Sequence, residues 1–314
     1  MTYLVTGGAG FIGSHLAEEL SRRGERVRVV DSFITGKRQN LTHLSNVELI
    51  EGDLADLKIA QAAVAGIDYV LHQAAIPSVP RSVEDPITSN RANIDATLNV
   101  LVAARDARVK RVVYAGSSSA YGDTPTLPKQ EDMPANPLSP YALQKLVGEQ
   151  YMSMFTKLYG LETVTIRYFN VFGPRQDPSS PYSGVISVFT RALLENAPVT
   201  IYGDGEQTRD FTYIANVVDG VLRACAAPVS GMVLNLATGS RISLNDLFRA
   251  LRALTGRTVN PGYGPPRAGD VRHSQADISR ARQLLGYEPL VTFDEGLRRT
   301  VEWFRTQNAA PART

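Results

Sequence analysis

Two clusters in this chain carry residue types that can oxidise and reduce an alcohol carbon. In Tyr141-Ala142-Leu143-Gln144-Lys145, a phenol and an amine lie four residues apart, on one face of any helix that contains them. A phenol titrates near ~10 and is a poor base at neutral pH. A neighbouring ammonium and a positive nicotinamide both favour the phenolate, so Tyr141 is expected to have a lowered pKa. Ser117, in Ser117-Ser118-Ser119, follows an apolar run, where its hydroxyl can hydrogen-bond the reacting oxygen. Near the start of the chain, Thr6-Gly7-Gly8-Ala9-Gly10-Phe11-Ile12-Gly13 satisfies the dinucleotide spacing Gly8-x-Gly10-x-x-Gly13 and also Gly7-x-x-Gly10-x-x-Gly13. Such glycines allow a tight turn, close approach of a pyrophosphate and close helix–strand packing. A helix opening near Phe11 would aim its free N–H groups at the phosphates. Together the clusters describe proton removal by Tyr141 while a hydride passes between an alcohol carbon and a bound nicotinamide.

Tyr-x-x-x-Lys by itself is common surface decoration, and three glycines alone can be an ordinary turn. Context gives them meaning. Apolar runs at Tyr3–Thr6, Arg26–Asp31, Val47–Glu51, Asp68–His72, Arg111–Ala115 and Glu162–Arg167 read as buried strands. Helical spacing fills Ser14–Arg23, Leu57–Ala65, Ala92–Ala107 and Ser139–Tyr159. The alternation predicts an α/β chain with a Rossmann-type, doubly wound parallel sheet. The glycine turn then follows the first strand, and the serines lie at the C-terminal end of the fifth, the edge where such sheets bind ligands. Asp31 ends the second strand about ~20 residues after the turn, where a carboxylate meets the adenosine ribose and repels a 2′-phosphate. This predicts NAD over NADP, although Lys37 and Arg38 are close. Asp53, with Leu54 after the third strand, can meet the adenine amine.

Beyond Arg167 the rhythm changes. Phe172–Ser183 reads as a connection, Val199–Tyr202 as a strand, Met232–Leu236 as a strand rejoining the main sheet, and Pro261–Gly269 as a loop. Ser243-Leu244-Asn245-Asp246 and Thr292-Phe293-Asp294-Glu295 resemble capping boxes. We expect a dinucleotide-binding unit over 1–172, with parts of 211–238 returning to it. A smaller C-terminal α/β substrate unit would comprise 173–210 and 239–308, followed by a frayed 309–314 tail.

A length of 314 residues suits one large or two modest units, and 43% apolar content suits a full core. A net charge of +2 argues against a nucleic-acid or anionic-membrane partner. Cys225 is the only cysteine, which excludes an intrachain disulfide or a cysteine metal site and fits a reducing cytosol. No run is long enough to span a bilayer, and Met1 leads directly into a strand without a leader pattern. The expectation is a cytoplasmic protein without membrane, nucleic-acid or metal partners.

The chain resembles the extended short-chain dehydrogenase/reductases, closest to the UDP-hexose 4-epimerases. The resemblance is carried by Thr6–Gly13, His72-Gln73-Ala74-Ala75, Ser117–Gly122, Tyr141–Lys145, Arg167-Tyr168-Phe169-Asn170 and Arg209-Asp210-Phe211. It implies catalytic Tyr141, Lys145 and Ser117. NAD would be held by Gly7, Gly10, Phe11, Ile12, Gly13, Asp31, Thr35, Lys37, Asp53, Leu54, Ala74, Ala75, Asn93, Tyr141, Lys145 and Tyr168. The nucleotide sugar would meet Ser78, Ser117, Ser119, Asn170, Val185, Thr200, Tyr202, Arg209, Arg267, Asp270 and Ser274, the arginines suiting a diphosphate. Relatives form a homodimer through a four-helix bundle built from helices corresponding to Ala92–Ala107 and Ser139–Tyr159.

Dehydratases of the family carry an Asp-Glu pair after the Ser117 equivalent, and decarboxylases a glutamate at position 119. Ser118 and Ser119 disfavour both. Uronate epimerases usually have threonine at Asn170. The Ile76–Arg81 block, Ser139-Pro140-Tyr141 and Asp270–Ser274 resemble the bacterial epimerases of UDP-N-acetylhexosamines. Position 274 matches a gate beside the sugar C2, where Ser274 leaves room that a tyrosine would fill. The implied reaction is C4 epimerisation of UDP-GlcNAc/UDP-GalNAc, with UDP-Glc/UDP-Gal also accepted. A UDP-glucuronate 4-epimerase, or another nucleotide-sugar dehydratase or dehydrogenase, is the alternative.

Overall fold

The structure is a computed structural model describing residues 1–178, 184–266 and 271–309. One parallel sheet of seven strands organises it: β1 (Thr2–Thr6), β2 (Arg26–Asp31), β3 (Val47–Glu51), β4 (Tyr69–His72), β5 (Arg111–Ser117), β6 (Glu162–Tyr168) and Met232–Leu236. Across the sheet the order is Met232–Leu236, β6, β5, β4, β1, β2, β3. The chain runs outward from β1 to β3, then restarts at β4 on the other side of β1. A crevice opens above the C-terminal ends of β1 and β4, where the strand order reverses. Every pairing is parallel, including that of Met232–Leu236 with β6, so this strand does rejoin the sheet.

Side chains alternate across each strand, and both faces are covered by helices. Val5, Val113 and Ile166 pack with Leu16 and Val217 on one face, while Leu4, Val70 and Val112 pack with Val100 and Met152 on the other. This double burial is why the strands read as near-continuous apolar runs.

The helix that carries Tyr141 spans Pro140–Tyr159. Pro140 pre-sets its first turn, the Ser139 hydroxyl accepts from the Ala142 N–H at 3.2 Å, and Gly160 ends it at φ 69°. The two capping boxes also form. Ser243 Oγ accepts from the Asp246 N–H at 3.0 Å, and Thr292 Oγ1 from the Glu295 N–H at 3.4 Å.

Two sequence expectations are corrected. The helix expected over Ala92–Ala107 opens as a widened π-turn, Arg91–Asp95, before Ala96–Asp106 continues as α-helix. The Asn93 amide there is engaged sideways, with Ile76 and Gln144, and the Thr97 hydroxyl takes up the Asn93 carbonyl at 2.7 Å. Within the expected 261–269 loop, Gly262–Gly264 pairs in parallel with Thr200–Tyr202. Residues 267–269 lie outside the described residues. Among the described residues, no helix is long and apolar enough to cross a membrane.

Candidate active site

A cavity of about 1100 Å³ lies over the crevice. Its floor is the glycine turn. Gly7 takes φ 63°, and a Cβ there would stand 2.8 Å from Ala74 backbone atoms; one on Gly13 would stand 2.2 Å from the Gly7 carbonyl oxygen. Backbone cannot give way as a flexible side chain can, so only glycine lets helix α1 (Phe11–Arg22) come this close to β1 and β4. No side chain caps α1 and no acid lies in its first turn, which leaves its opening N–H groups and positive dipole for an anion.

Thr6 ties this floor to β4. Its Oγ1 accepts from the Gln73 and Ala74 N–H groups, each at 3.1 Å, and pairs with His72 Nδ1 at 2.7 Å. With those acceptor positions used, the Thr6 hydroxyl donates to Nδ1, and His72 Nε2–H donates to Thr97 Oγ1 at 3.0 Å. Burial lowers the His72 pKa to about 3, consistent with a neutral ring. Gln73 Oε1 receives the Tyr168 hydroxyl at 2.9 Å, while Gln73 Nε2 is buried without a partner among the described residues. Gln73 lines the cavity.

The adenosine end fits a cofactor without a 2′-phosphate. Asp31, at the end of β2, accepts from the Ala9 N–H at 2.9 Å and the Phe33 N–H at 2.8 Å, and lines the cavity. Lys37 is paired with Asp177 at 2.7 Å, and Arg38 is paired with Glu51 and lies over the Phe33 ring. The two cations that sequence left open for a phosphate are thus engaged elsewhere.

At the opposite end, β5 delivers Ser117, whose Oγ lies 2.8 Å from Ser119 Oγ, beside Tyr141 and Lys145. The Tyr141 N–H donates to Ser82 Oγ at 3.0 Å, anchoring the helix start to the 76–84 segment. Lys145 Nζ donates to the Ala115 carbonyl at 2.9 Å and sits 4.9 Å from the Tyr114 ring centroid.

Burial acts against the expected acidity. Burial pushes the Tyr141 phenol up to about 12, opposed only by its hydrogen bond with Ser117. Burial also brings Lys145 down to about 7. Desolvation penalises both charged forms and opposes the attraction the spacing suggested.

Among the residues singled out from sequence, the cavity gathers Gly7, Gly10, Phe11, Ile12, Gly13, Asp31, Thr35, Lys37, Asp53, Leu54, Ala74, Ala75, Ser78, Ser117, Ser119, Tyr141, Lys145, Tyr168, Asn170, Arg209 and Ser274. Asn93 is not in its wall. It is buried one layer back, where its amide accepts from the Ile76 N–H at 2.8 Å and donates to Gln144 Oε1 at 2.8 Å. Val185, Thr200 and Tyr202 also stand outside the wall. Thr200 and Tyr202 belong to the short pairing with Gly262–Gly264, whose continuation includes Arg267 and Asp270, outside the described residues. Sequence reasoning missed Gln73, Arg81, Lys129, Arg175, Gln176, Asp177 and His273 as wall residues. Gln73 could have been found, since it follows the apolar β4 run at the crevice; Arg81 sits on the short helix Val79–Glu84 and the others come from loops, none with a periodic signal.

The geometry agrees with what known proteins show. Residues 3–237 match the NAD dependent epimerase/dehydratase family. The UDP-glucose 4-epimerase of Mycolicibacterium smegmatis is 40% identical, covering 98% of this chain and 100% of that protein. The crystal structure of the Thermotoga maritima UDP-glucose 4-epimerase with UDP-glucose superposes with a TM-score of 0.95 at 39% identity, covering 98% of this chain and all of that one. The UDP-N-acetylglucosamine 4-epimerase of Methanobrevibacter ruminantium, in complex with UDP-N-acetylmuramic acid, gives 0.94 at 39% identity, with 98% of each chain covered. A glycine floor without a competing cap and whole-length likeness lead to one assignment: the chain belongs to the NAD-dependent epimerase/dehydratase family, within it to the UDP-sugar 4-epimerases, and its cofactor is NAD.

Proposed function

We propose that this enzyme interconverts UDP-GlcNAc and UDP-GalNAc at C4 and also accepts UDP-Glc and UDP-Gal. The observation that carries the acetylated substrate is Ser274, a small side chain in the wall of the cavity that also holds Ser117 and Tyr141. Its N–H donates to the Thr208 carbonyl at 3.1 Å, so its place is fixed by backbone pairing. A tyrosine there would occupy space beside the sugar that an acetamido group needs.

In this reading the bound NAD supplies a reversible hydride acceptor for the sugar C4. Tyr141 takes the proton from the 4-hydroxyl and returns it, and Ser117 holds the same oxygen by hydrogen bond. Lys145 holds positive charge next to the phenol. Gly7, Gly10, Gly13, Asp31, Thr35, Lys37, Asp53, Leu54, Ala74, Ala75 and Tyr168 form the cofactor wall. Arg209, Asn170, Ser78 and Ser119 face the nucleotide sugar. The 173–210 and 239–308 segments act as the substrate unit. A homodimer through the Ala96–Asp106 and Pro140–Tyr159 helices is part of the proposal, supported by Met154 and Leu158, which are about half exposed on the second helix. A cytoplasmic setting is supported by the single, buried Cys225.

The decisive test incubates purified protein with UDP-GlcNAc, UDP-Glc and UDP-GlcA separately, without added NAD, and resolves the products. C4 epimers of the first two are expected. Conversion of UDP-GlcA alone would replace this substrate assignment. Ser274→Tyr should suppress turnover of the acetylated pair and spare the plain hexoses; equal loss on both removes the gating argument.

A further inference from the structure

Lys145 is almost wholly buried, and none of the carboxylates among the described residues forms an ion pair with it. Glu149, one turn further along its helix, is committed to Arg167 at 2.6 Å. A buried ammonium needs compensation. Two groups provide it: the Ala115 carbonyl at 2.9 Å and the face of the Tyr114 ring, whose centroid lies 4.9 Å from Nζ. That distance lies within the range in which a cation is attracted to a ring face.

The ring is held where it is. Tyr114 is fully buried on β5 and stacks on His72 at 5.6 Å with 28° between planes, and His72 is itself fixed by Thr6 and Thr97. From above, the helix can settle on the ring because position 148 is glycine. A Cβ there would stand 2.3 Å from the Tyr114 hydroxyl and 2.6 Å from the ring carbon bearing it. The hydroxyl is buried and turned to the Thr97 side chain, so the ring is the part of this side chain that meets Lys145.

We infer that Tyr114 is a positioning residue for Lys145: its ring face is the seat that holds the ammonium charged and in place beside Tyr141. The inference rests on the reading of Lys145 as the partner of Tyr141. The titratable and charged groups around Lys145 are His72 on β4, Tyr114 on β5, Tyr141 and Glu149 on its own helix, and Arg167 with Tyr168 on β6. His72 is neutral, and Glu149 and Arg167 neutralise each other, so the ring is the neighbour that favours the charged amine. Lys145 stays close enough to neutrality, with a pKa of about 7, for the loss of that seat to show near physiological pH.

The test is a pH–rate series on the NAD-loaded enzyme. Tyr114→Phe keeps the ring and should stay within about twofold of wild type, with an unchanged alkaline limb of kcat. Tyr114→Leu removes the ring. It should move the alkaline limb down by about one pH unit and lower kcat about tenfold above that limb. Fluorinated phenylalanines at position 114 keep the shape while draining the ring face, so the series does not depend on Leu folding well; the limb should move down progressively with fluorine count. A limb that stays put across the fluorinated series overturns the inference, as does a shift in Tyr114→Phe as large as in Tyr114→Leu, which would give the role to the hydroxyl. Lys145→Met run alongside separates the two levels. Near-normal turnover there rejects the site itself, whereas an inactive Lys145→Met with an unmoved limb rejects only the role of Tyr114.

Discussion

The ion pair between Glu149 and Arg167 allows a quantitative forecast. Arg167 Nε donates to one carboxylate oxygen at 2.9 Å and Nη2 to the other at 2.6 Å, with about 5% of either side chain exposed. The guanidinium lies 4.5 Å over the Tyr121 ring. The pair joins the Pro140–Tyr159 helix to β6, one turn beyond Lys145 and one residue before Tyr168. Glu149→Gln keeps the shape and strands a buried cation, a change that costs about 3–5 kcal/mol. Each kcal/mol moves the melting temperature of a chain this size by about 2 °C, giving a drop of about 6–10 °C by calorimetry on the NAD-loaded enzyme. Because the same helix sets Tyr141 against Ser117, kcat should fall at least about tenfold, with KM changing less. Glu149→Leu combined with Arg167→Met removes both charges and should be the more stable variant, since well-packed apolar replacements of a buried pair are often neutral. A drop under about 2 °C in the single variant, or a double variant less stable than the single, would refute the argument.

Three other outcomes are expected. Tyr141→Phe should retain NAD, read from protein-bound absorbance, while turnover falls by about 10²–10⁴ as a lost general base requires; near-normal rates would reject Tyr141 as the base. Gly13→Ala should yield protein purified without NAD, because its methyl would stand 2.2 Å from the Gly7 carbonyl oxygen and push α1 away from the phosphate floor; full NAD content would show that the turn has slack. Burial lowers His15 to about 4 and His72 to about 3, so the unfolded chain binds more protons than the folded one below about pH 6.5. The two histidines should therefore add a further fall in stability as pH drops through about 6.5, before the carboxylates titrate; a melting temperature flat between pH 7 and pH 5 would contradict this.

The sheet was legible because parallel strands covered on both faces leave continuous apolar runs that end in glycine or a polar residue, as β1 does at Thr6-Gly7. The cofactor floor was legible for a related reason: glycine spacing is itself a statement about backbone approach. What escaped was decided by packing. Asn93 has the right type for a ligand contact, but the π-turn and its bonds to Ile76 and Gln144 turn it into a brace behind the wall. Gly262–Gly264 has neither alternation nor length to mark it as a strand, and pairs only because Thr200–Tyr202 lies beside it. Lys129 reaches the wall through backbone pairing with Gln275 and Asp277, nearly 150 positions away in sequence, which no local pattern encodes. For the acidity of Tyr141, spacing reveals a neighbouring charge but not the burial that opposes it.

That burial suggests why the connection after β6 is built as it is. Asn170 at φ 34°, Gly173 at φ 151° and Arg175 at φ 67° place three residues in conformations that side chains resist, within six positions. The segment is then fastened to the dinucleotide side: Pro174 O to His15 Nε2 at 3.0 Å, Arg175 to Glu18 and Ser14, and Asp177 to Lys37 at 2.7 Å. Most of these bonds reach α1, the helix whose first turn forms the phosphate floor. The segment is thereby tied to the element that forms the phosphate floor. Epimerisation asks for this division of labour. In the proposed reaction the sugar presents either face of C4 to the same phenol, and Ser119 and Ser274 are small residues in the cavity wall. The phenol and amine, both pushed toward their neutral forms, work only if the charge brought into the cavity stays at a fixed distance from them. A loose strap after β6 would let that distance vary, and the acidity of Tyr141 would vary with it.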